Sequence, residues 1–269
     1  QLTVLVPAGS THERIMVVNL STNKTQVSRK PFRVTNTGPA SLGLSNFKPA
    51  VLFETVTPPG SGVGAKKPKK IAVGDLDGDG KPDLVVAHYN FPQSPHVSIF
   101  RNTSQIGVIN ANTLSPYFAL SFQGEDAELA DVNGDGKLDL LTIAFNNALN
   151  IYLNQASPGT LNTGSFGPPI SISIPNLIDI STGDLNLDGR LDIVAGTYFN
   201  GPIVNELKIL LNQGSGTTLT TASFSNPVVI TNNTSQEPYH VQVADMDGDG
   251  RPEVLTNSNG IAIYKNVFD

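Results

Sequence analysis

DLDGDGKPD, residues 75–83, packs four aspartates into nine positions around two glycines. Carboxylates crowded this closely repel one another and raise the cost of folding unless something neutralises them. The pattern returns three times, as DVNGDGKLD (131–139), DLNLDGRLD (184–192) and DMDGDGRPE (245–253). All four fit one template: an acid at position 1, Asp or Asn at 3, Asp at 5, Gly at 6 and an acid at 9. Alternate side chains of a tight loop converge on a point, and converging oxygens suit a hard divalent cation. Calcium takes about six to eight oxygen ligands in flexible geometry, and the glycine permits the sharp turn that wraps the chain around it. Magnesium demands stricter octahedral geometry and keeps its own water, so it fits less well.

The ligand set expected from this template is Asp75, Asp77, Asp79, Lys81 and Asp83 in the first loop, and Asp131, Asn133, Asp135, Lys137 and Asp139 in the second. In the third it is Asp184, Asn186, Asp188, Arg190 and Asp192, and in the fourth Asp245, Asp247, Asp249, Arg251 and Glu253. The base at position 7 offers its backbone carbonyl and points its side chain outward. About four calcium ions per chain follow from four such loops. An EF-hand does not fit, because its bidentate glutamate comes at position 12 of a loop between helices. Here the last acid is at 9 and strand-like residues flank the loop. The competing reading is acidic surface turns, since Asp, Asn and Gly favour turns for conformational reasons alone. Four loops of one internal spacing weigh against it. So does charge: the loops hold four, three, three and four acids, fourteen of the chain's 23, and four calcium ions would take the formal charge from −6 to about +2.

The 269 residues are enough to bury a sizeable core in one or two domains. Only 15% are charged, while 25 Gly and 19 Pro fit short strands and turns better than helices. No cysteine is present, so the redox compartment cannot be read from disulfides. No apolar run reaches the length of a membrane span and no signal peptide opens the chain, so membrane insertion is not expected. Gln1 falls directly into strand-like sequence, as in a processed chain or the interior of a longer one. The one basic run, KKPKK (66–70), has no interleaved aromatics and is read as a solvated loop before a strand. In a net acidic chain, nucleic-acid binding is not expected.

The first acids of the loops, Asp75, Asp131, Asp184 and Asp245, are spaced by 56, 53 and 61 residues, a period that marks a repeated supersecondary unit. Before each loop stands a short alternating strand, KIAVGDL, AELADV, DISTGDL or VQVADM. After it stands an apolar one, DLVVAHY, DLLTIAF, DIVAGTY or EVLTNS. A third strand ends on Asn each time, in VSIFRN, LNIYLN, LKILLN and IAIYKN, and a fourth, such as YFALSF or NPVVIT, leads onward. Such a unit describes a propeller blade, which cannot bury both faces alone and must stack on its neighbours. The expected fold is all-β, a propeller-like array of four-stranded antiparallel blades with a calcium loop between the first two strands of each.

The D-x-[DN]-x-D-G-x-x-D loop between two strands, recurring every fifty to sixty residues, resembles the FG-GAP/VCBS repeats of integrin-alpha-type β-propellers. That resemblance, covering residues 48–269, implies calcium binding through positions 1, 3, 5, 7 and 9 of each loop. The Phe-Gly and Gly-Ala-Pro signatures are missing, which places the chain nearer the VCBS branch. Leu187 replaces Gly at position 4 of the third loop and Asn186 is neutral, so a weaker site is expected there; Glu253 gives the fourth loop a longer reach. Residues 1–37 read LTVLVPAG, RIMVVNL and KPFRVT and resemble the end of an IPT/TIG immunoglobulin-like domain, with a partial blade as the alternative. Residues 38–47 would be the linker. The fourth unit stops one strand short, as in a propeller closed by its N-terminal segment or in part of a longer array.

The function expected is a non-catalytic, calcium-stabilised extracellular or cell-surface module, secreted and bacterial, for adhesion to a glycan or an extracellular protein. A structural spacer is the alternative, and oligomeric state is left open. Tyr89, Phe91, Tyr198 and Phe199 are candidate ligand contacts. Catalysis has little support. His12, His88, His96 and His240 are scattered, with His88 and His96 in one loop region, and the tight acidic group Glu125, Asp126 and Glu128 is read as adding to calcium attraction.

Overall fold

The computed structural model describes residues 16–19, 24–27, 47–55, 68–88, 97–120, 124, 126–144, 148–198, 206–231, 240–257 and 260–268. The chain divides into two compact units, Gln1–Leu52 with Ser104–Ala111, and Phe53–Thr103 with Asn112–Asp269. In the first, β1 (Met16–Asn19) and β2 (Lys24–Val27) pair antiparallel, with Met16 opposite Val27. Strand β1 falls on the expected RIMVVNL. Strand β2 falls on the segment after it, and LTVLVPAG and KPFRVT lie outside the described residues.

The second unit is a stack of small antiparallel sheets, the blades of a four-blade β-propeller. Blade one runs β3 (Pro68–Gly74), β4 (Asp83–His88), β5 (Val97–Phe100) and β6 (Phe118–Leu120), in that spatial order. Blade two runs β7 (Ala127–Ala130), β8 (Asp139–Ala144), β9 (Ala148–Tyr152) and β10 (Ile170–Ser173); blade three runs β11 (Leu177–Gly183), β12 (Asp192–Thr197), β13 (Glu206–Leu210) and β14 (Val228–Thr231). Blade four has β15 (His240–Ala244), β16 (Glu253–Asn257) and β17 (Ile261–Tyr264), three strands among the described residues. Each acidic loop joins the first two strands of its blade. Consecutive strands pair because the connections are short and each strand's alternation matches its neighbour's register, as in Ile71–Val86 and Val86–Ser98.

The inner strands of the blades are the most buried, the third strands β5 and β9 at every residue and the second strands β4, β8 and β12 at nearly every one. Strands β8 and β12 are buried at every residue, which explains why DLLTIA and DIVAGT read as near-continuous apolar runs. Three apolar clusters fill the gaps between consecutive blades. Val85, Ala87 and Ile99 meet Ala127 and Leu140 between blades one and two; Leu141, Ile143 and Ile151 meet Ile180 and Ile193 between two and three; Val194 and Leu207 meet Val241 and Val254 between three and four. Fully burying one such side chain contributes roughly 1.5–3 kcal/mol, so the inter-blade seams carry much of the stability.

The run KKPKK differs from its expected reading. Pro68, Lys69 and Lys70 belong to β3, and Lys70 is half buried. A β-bulge at Lys69 precedes it, and bulges re-aim the side chains beside them.

Candidate metal centre: four acidic loops

The loops hold their shape by turning their own carboxylates on their own amides. At position 1, Asp75 Oδ2 accepts from Gly80 N at 2.8 Å, Asp131 Oδ2 from Gly136 N at 2.9 Å, Asp184 Oδ2 from Gly189 N at 2.9 Å and Asp245 Oδ2 from Gly250 N at 3.0 Å. At position 3, Asp77, Asn133, Asn186 and Asp247 each accept through Oδ1 from the amide two residues on, at 3.0–3.2 Å. At position 5, Asp79, Asp135, Asp188 and Asp249 do the same with the amides of Lys81, Lys137, Arg190 and Arg251 at 2.9–3.0 Å. Such Asx turns explain why Asp or Asn stands at alternate positions. The backbone between them is left-handed at Gly78, Gly134 and Gly248, and also at Leu187, with φ of +60°. A leucine there crowds its Cβ against the carbonyl.

Position 9 is different. Asp83, Asp139 and Asp192 begin the second strands and are wholly buried. Each spends both oxygens on backbone amides: Asp83 accepts from Leu76 N at 2.9 Å and Asn102 N at 2.8 Å, Asp139 from Val132 N and Asn154 N, and Asp192 from Leu185 N and Asn212 N. Burial pushes all three carboxyls above the usual range, with Asp139 at about 6, against the pull of those amides. Glu253, longer by a methylene, accepts from Met246 N at 2.8 Å through Oε2.

Two loops gather three carboxylates tightly enough to share a cation. Ligand oxygens of Asp75, Asp77 and Asp83 lie within 4.8 Å of one another, as do those of Asp245, Asp247 and Glu253. In each cluster one buried oxygen, Asp75 Oδ1 or Glu253 Oε1, has no hydrogen-bond partner among the described residues. A buried carboxylate oxygen left this way is costly, and a hard cation satisfies it. The donor set therefore fits calcium. The second and third loops carry Asn at position 3 and bring together fewer carboxylates.

The model of the FG-GAP-like repeat matches three overlapping stretches, residues 75–142, 131–195 and 184–256, together more than half of the chain. The chain belongs to the FG-GAP-like repeat family. Each match opens on the first acid of a loop and ends in the second strand of the following blade, so the loops and their flanking strands carry the family's pattern. No curated protein matches the chain. FG-GAP repeats often bind calcium and are typically non-catalytic modules of extracellular proteins. No helix among the described residues is long and apolar enough to cross a membrane.

The FG-GAP blades also use residues whose roles the sequence did not disclose. The Asn closing the third strand of blades two, three and four reaches back across a seam, while Asn102 of blade one donates to Pro82 O of its own blade. Asn154 Nδ2 donates to Leu76 O at 2.8 Å, Asn212 Nδ2 to Val132 O at 2.8 Å and Asn266 Nδ2 to Leu185 O at 2.8 Å, always the carbonyl at loop position 2 of the preceding blade. Recurrence of that Asn was the visible signal. A second set lies five residues before each first acid: Lys70, Asp126, Asp179 and His240. Lys70 Nζ lies 3.0 Å from Asp126 Oδ1 and 3.1 Å from Asp179 Oδ1, and His240 Nδ1 is 3.7 Å from Asp179 Oδ2. Burial, then the neighbouring Asp179, pushes Asp126 up to about 6. Glu128 accepts from Thr182 N and Oγ1 at 2.9 and 2.8 Å. Asp126 and Glu128 thus join blades rather than serve the second loop, which corrects the reading that they add to calcium attraction; Glu125 lies outside the described residues.

His88 ends β4, buried with Nε2 3.1 Å from Ser98 Oγ, while His12 and His96 lie outside the described residues. Of the aromatic candidates, Tyr198 is half buried, and its amide donates to Asn176 O at 2.9 Å. Tyr89, Phe91 and Phe199 lie outside the described residues. A cleft of about 410 Å³ separates the second and third loops, lined among others by Asp131, Asn133, Arg190, Gln213 and Thr217.

Proposed function

We propose that the chain is a calcium-stabilised extracellular binding module whose four loops, through positions 1, 3, 5, 7 and 9, take about four calcium ions. The observation that carries this reading is the pair of three-carboxylate clusters, each with a buried oxygen lacking a partner. Calcium ties the first two strands of a blade and so rigidifies the surface that meets a ligand. The ligand is a glycan or an extracellular protein, and the polar cleft between the second and third loops has the volume and the mixed charge for a small polar group. The module works without catalysis: its carboxylates are occupied in loop turns, amide clamps and inter-blade pairs. Calcium titration by calorimetry, followed by a glycan array with and without chelator, tests it. Uptake of about four ions with calcium-dependent retention of a glycan supports the reading; uptake with no ligand retained would make the chain a spacer, and no uptake removes the calcium role.

A further inference from the structure

The residue directly before the closing Asn of each third strand divides the FG-GAP blades into two kinds. It is Arg101 in blade one, Leu153 in blade two, Leu211 in blade three and Lys265 in blade four. Loop position 3, in the same order, is Asp77, Asn133, Asn186 and Asp247. A base accompanies Asp and a leucine accompanies Asn in all four. Four loop acids with one such base leave a formal −3, as do three acids with a leucine. The base at position 7 is common to every loop but is used differently: Arg190 Nη2 donates to the Asp188 carboxylate at position 5 and Lys137 Nζ to Ala156 O, so the comparison is drawn at position 3.

Where the base is present, it touches the extra acid. Arg101 Nε donates to the Asp77 carboxylate and Arg101 Nη2 to Asp79 Oδ2 at 2.8 Å. Lys265 Nζ donates to the Asp247 carboxylate and lies 3.6 Å from Asp249 Oδ2. The first pair is sheltered: the Arg101 side chain is 29% exposed and covers an Asp77 carboxylate that is 0% exposed. A buried carboxylate left without a counter-charge is costly, so the arginine satisfies a charge that water does not reach. In the other blades position 3 needs no counter-charge. Asn133 Nδ2 donates to Thr217 O at 3.1 Å, Asn186 Nδ2 donates to Asp188 Oδ2 at 2.9 Å, and Leu153 packs against the core between blades two and three.

The geometry points to Arg101 and Lys265 as built-in counter-cations, positioning residues that hold the carboxylates of loop positions 3 and 5 when metal is absent and compete with calcium for them when it is present. This rests on the calcium reading of the loops. It sets loops one and four apart at position 3: they keep their shape on chelation but bind calcium less tightly than their four acids would alone, while in loops two and three no base touches position 3, although Arg190 donates to the Asp188 carboxylate at position 5 of loop three.

The test uses the full chain carrying Arg101→Leu, Asp77→Asn, both together, or Arg101→Lys, with Lys265→Leu as the counterpart in loop four. In excess chelator, Arg101→Leu lowers Tm, and adding Asp77→Asn recovers most of the loss by recreating the Asn–Leu combination of blades two and three. In calcium titrations, Arg101→Leu tightens one site roughly three- to tenfold, Arg101→Lys stays near the wild type, and Lys265→Leu tightens a different site. A folded Arg101→Leu protein whose calcium affinity is unchanged or weaker overturns the inference and leaves the calcium reading standing. Additive losses in chelator overturn it as well. A wild type that takes up no calcium overturns the competition and the calcium reading together.

Discussion

Position 4 of the third loop shows how a single side chain is set by backbone demand. Gly78, Gly134 and Gly248 occupy left-handed backbone without a Cβ to crowd, whereas Leu187 occupies the same conformation exposed to solvent. The left-handed cost for an L-residue is about 1–2 kcal/mol, offset in part by the greater freedom that glycine loses on folding. Leu187→Gly should therefore stabilise the chain by about 0.5–1 kcal/mol, read as a raised urea midpoint at constant slope; an unchanged or lowered midpoint would place the strain elsewhere. Residues at this scale were legible where a loop's own backbone decides their role. Spacing alone marks positions 1, 3 and 5, because an Asx turn needs only the amide two residues on. Position 9 was legible as an acid but not as a clamp. Its second amide donor, on Asn102, Asn154 or Asn212, comes from the third strand, whose register no local pattern reveals. Arg101 was equally hidden, since it lies 24 residues from the acid it covers.

At the scale of elements, period-two alternation and the apolar second strands placed the blades correctly, because in a stacked array those strands are buried on both faces. Charged runs misled where burial of a pair outweighed solvation. KKPKK, without interleaved aromatics, reads as a solvated loop before a strand, yet Lys70 lies in the strand and the acids that hold it stand in the next two blades. The closing Asn of the third strand is the clearest element-level device. Asn212 Nδ2 donates both to Val132 O in the preceding blade and to Leu191 O at 3.2 Å, while its Oδ1 accepts from Gly214 N at 3.1 Å. Asn212→Ala leaves buried groups on two blades unpaired and should cost about 2–3 kcal/mol in equilibrium unfolding. A cost below about 0.5 kcal/mol would show that the inter-blade bonds contribute little beyond apolar packing.

For the whole molecule, burial at equivalent positions distinguishes the seams from the ends. Ile71 of blade one is 60% exposed, while its equivalent Ile180 in blade three is 0% exposed. At loop position 2, Leu76 is 2% exposed and Met246 of blade four 55%. Among the described residues, these positions of the first and last blades are thus more exposed than their equivalents at the seams, a difference that repeat spacing cannot report because it counts blades without saying what packs on them. The inter-blade charges give the stack a pH response. Asp126, raised toward 6 by burial and by Asp179, lies against Lys70, with His240 on the far side of Asp179 and Glu128 bonded to Thr182. Its folded pKa exceeds the unfolded value near 4, so the native state binds the extra proton between them and stability falls as pH rises through that window. The wild type should gain stability relative to Asp126→Asn as pH drops from 7 to 5; a difference that is flat or reversed would contradict the assignment. The central claim is that calcium holds the blades, and thermal unfolding in millimolar calcium and again after exhaustive chelation, with bound calcium counted by elemental analysis, tests it most directly. Each ion that binds only the folded chain adds about 1.4 kcal/mol at tenfold excess over Kd. The account predicts about four ions per chain and a large fall in Tm on chelation, whereas an unchanged Tm with no bound calcium would reduce the loops to acidic turns.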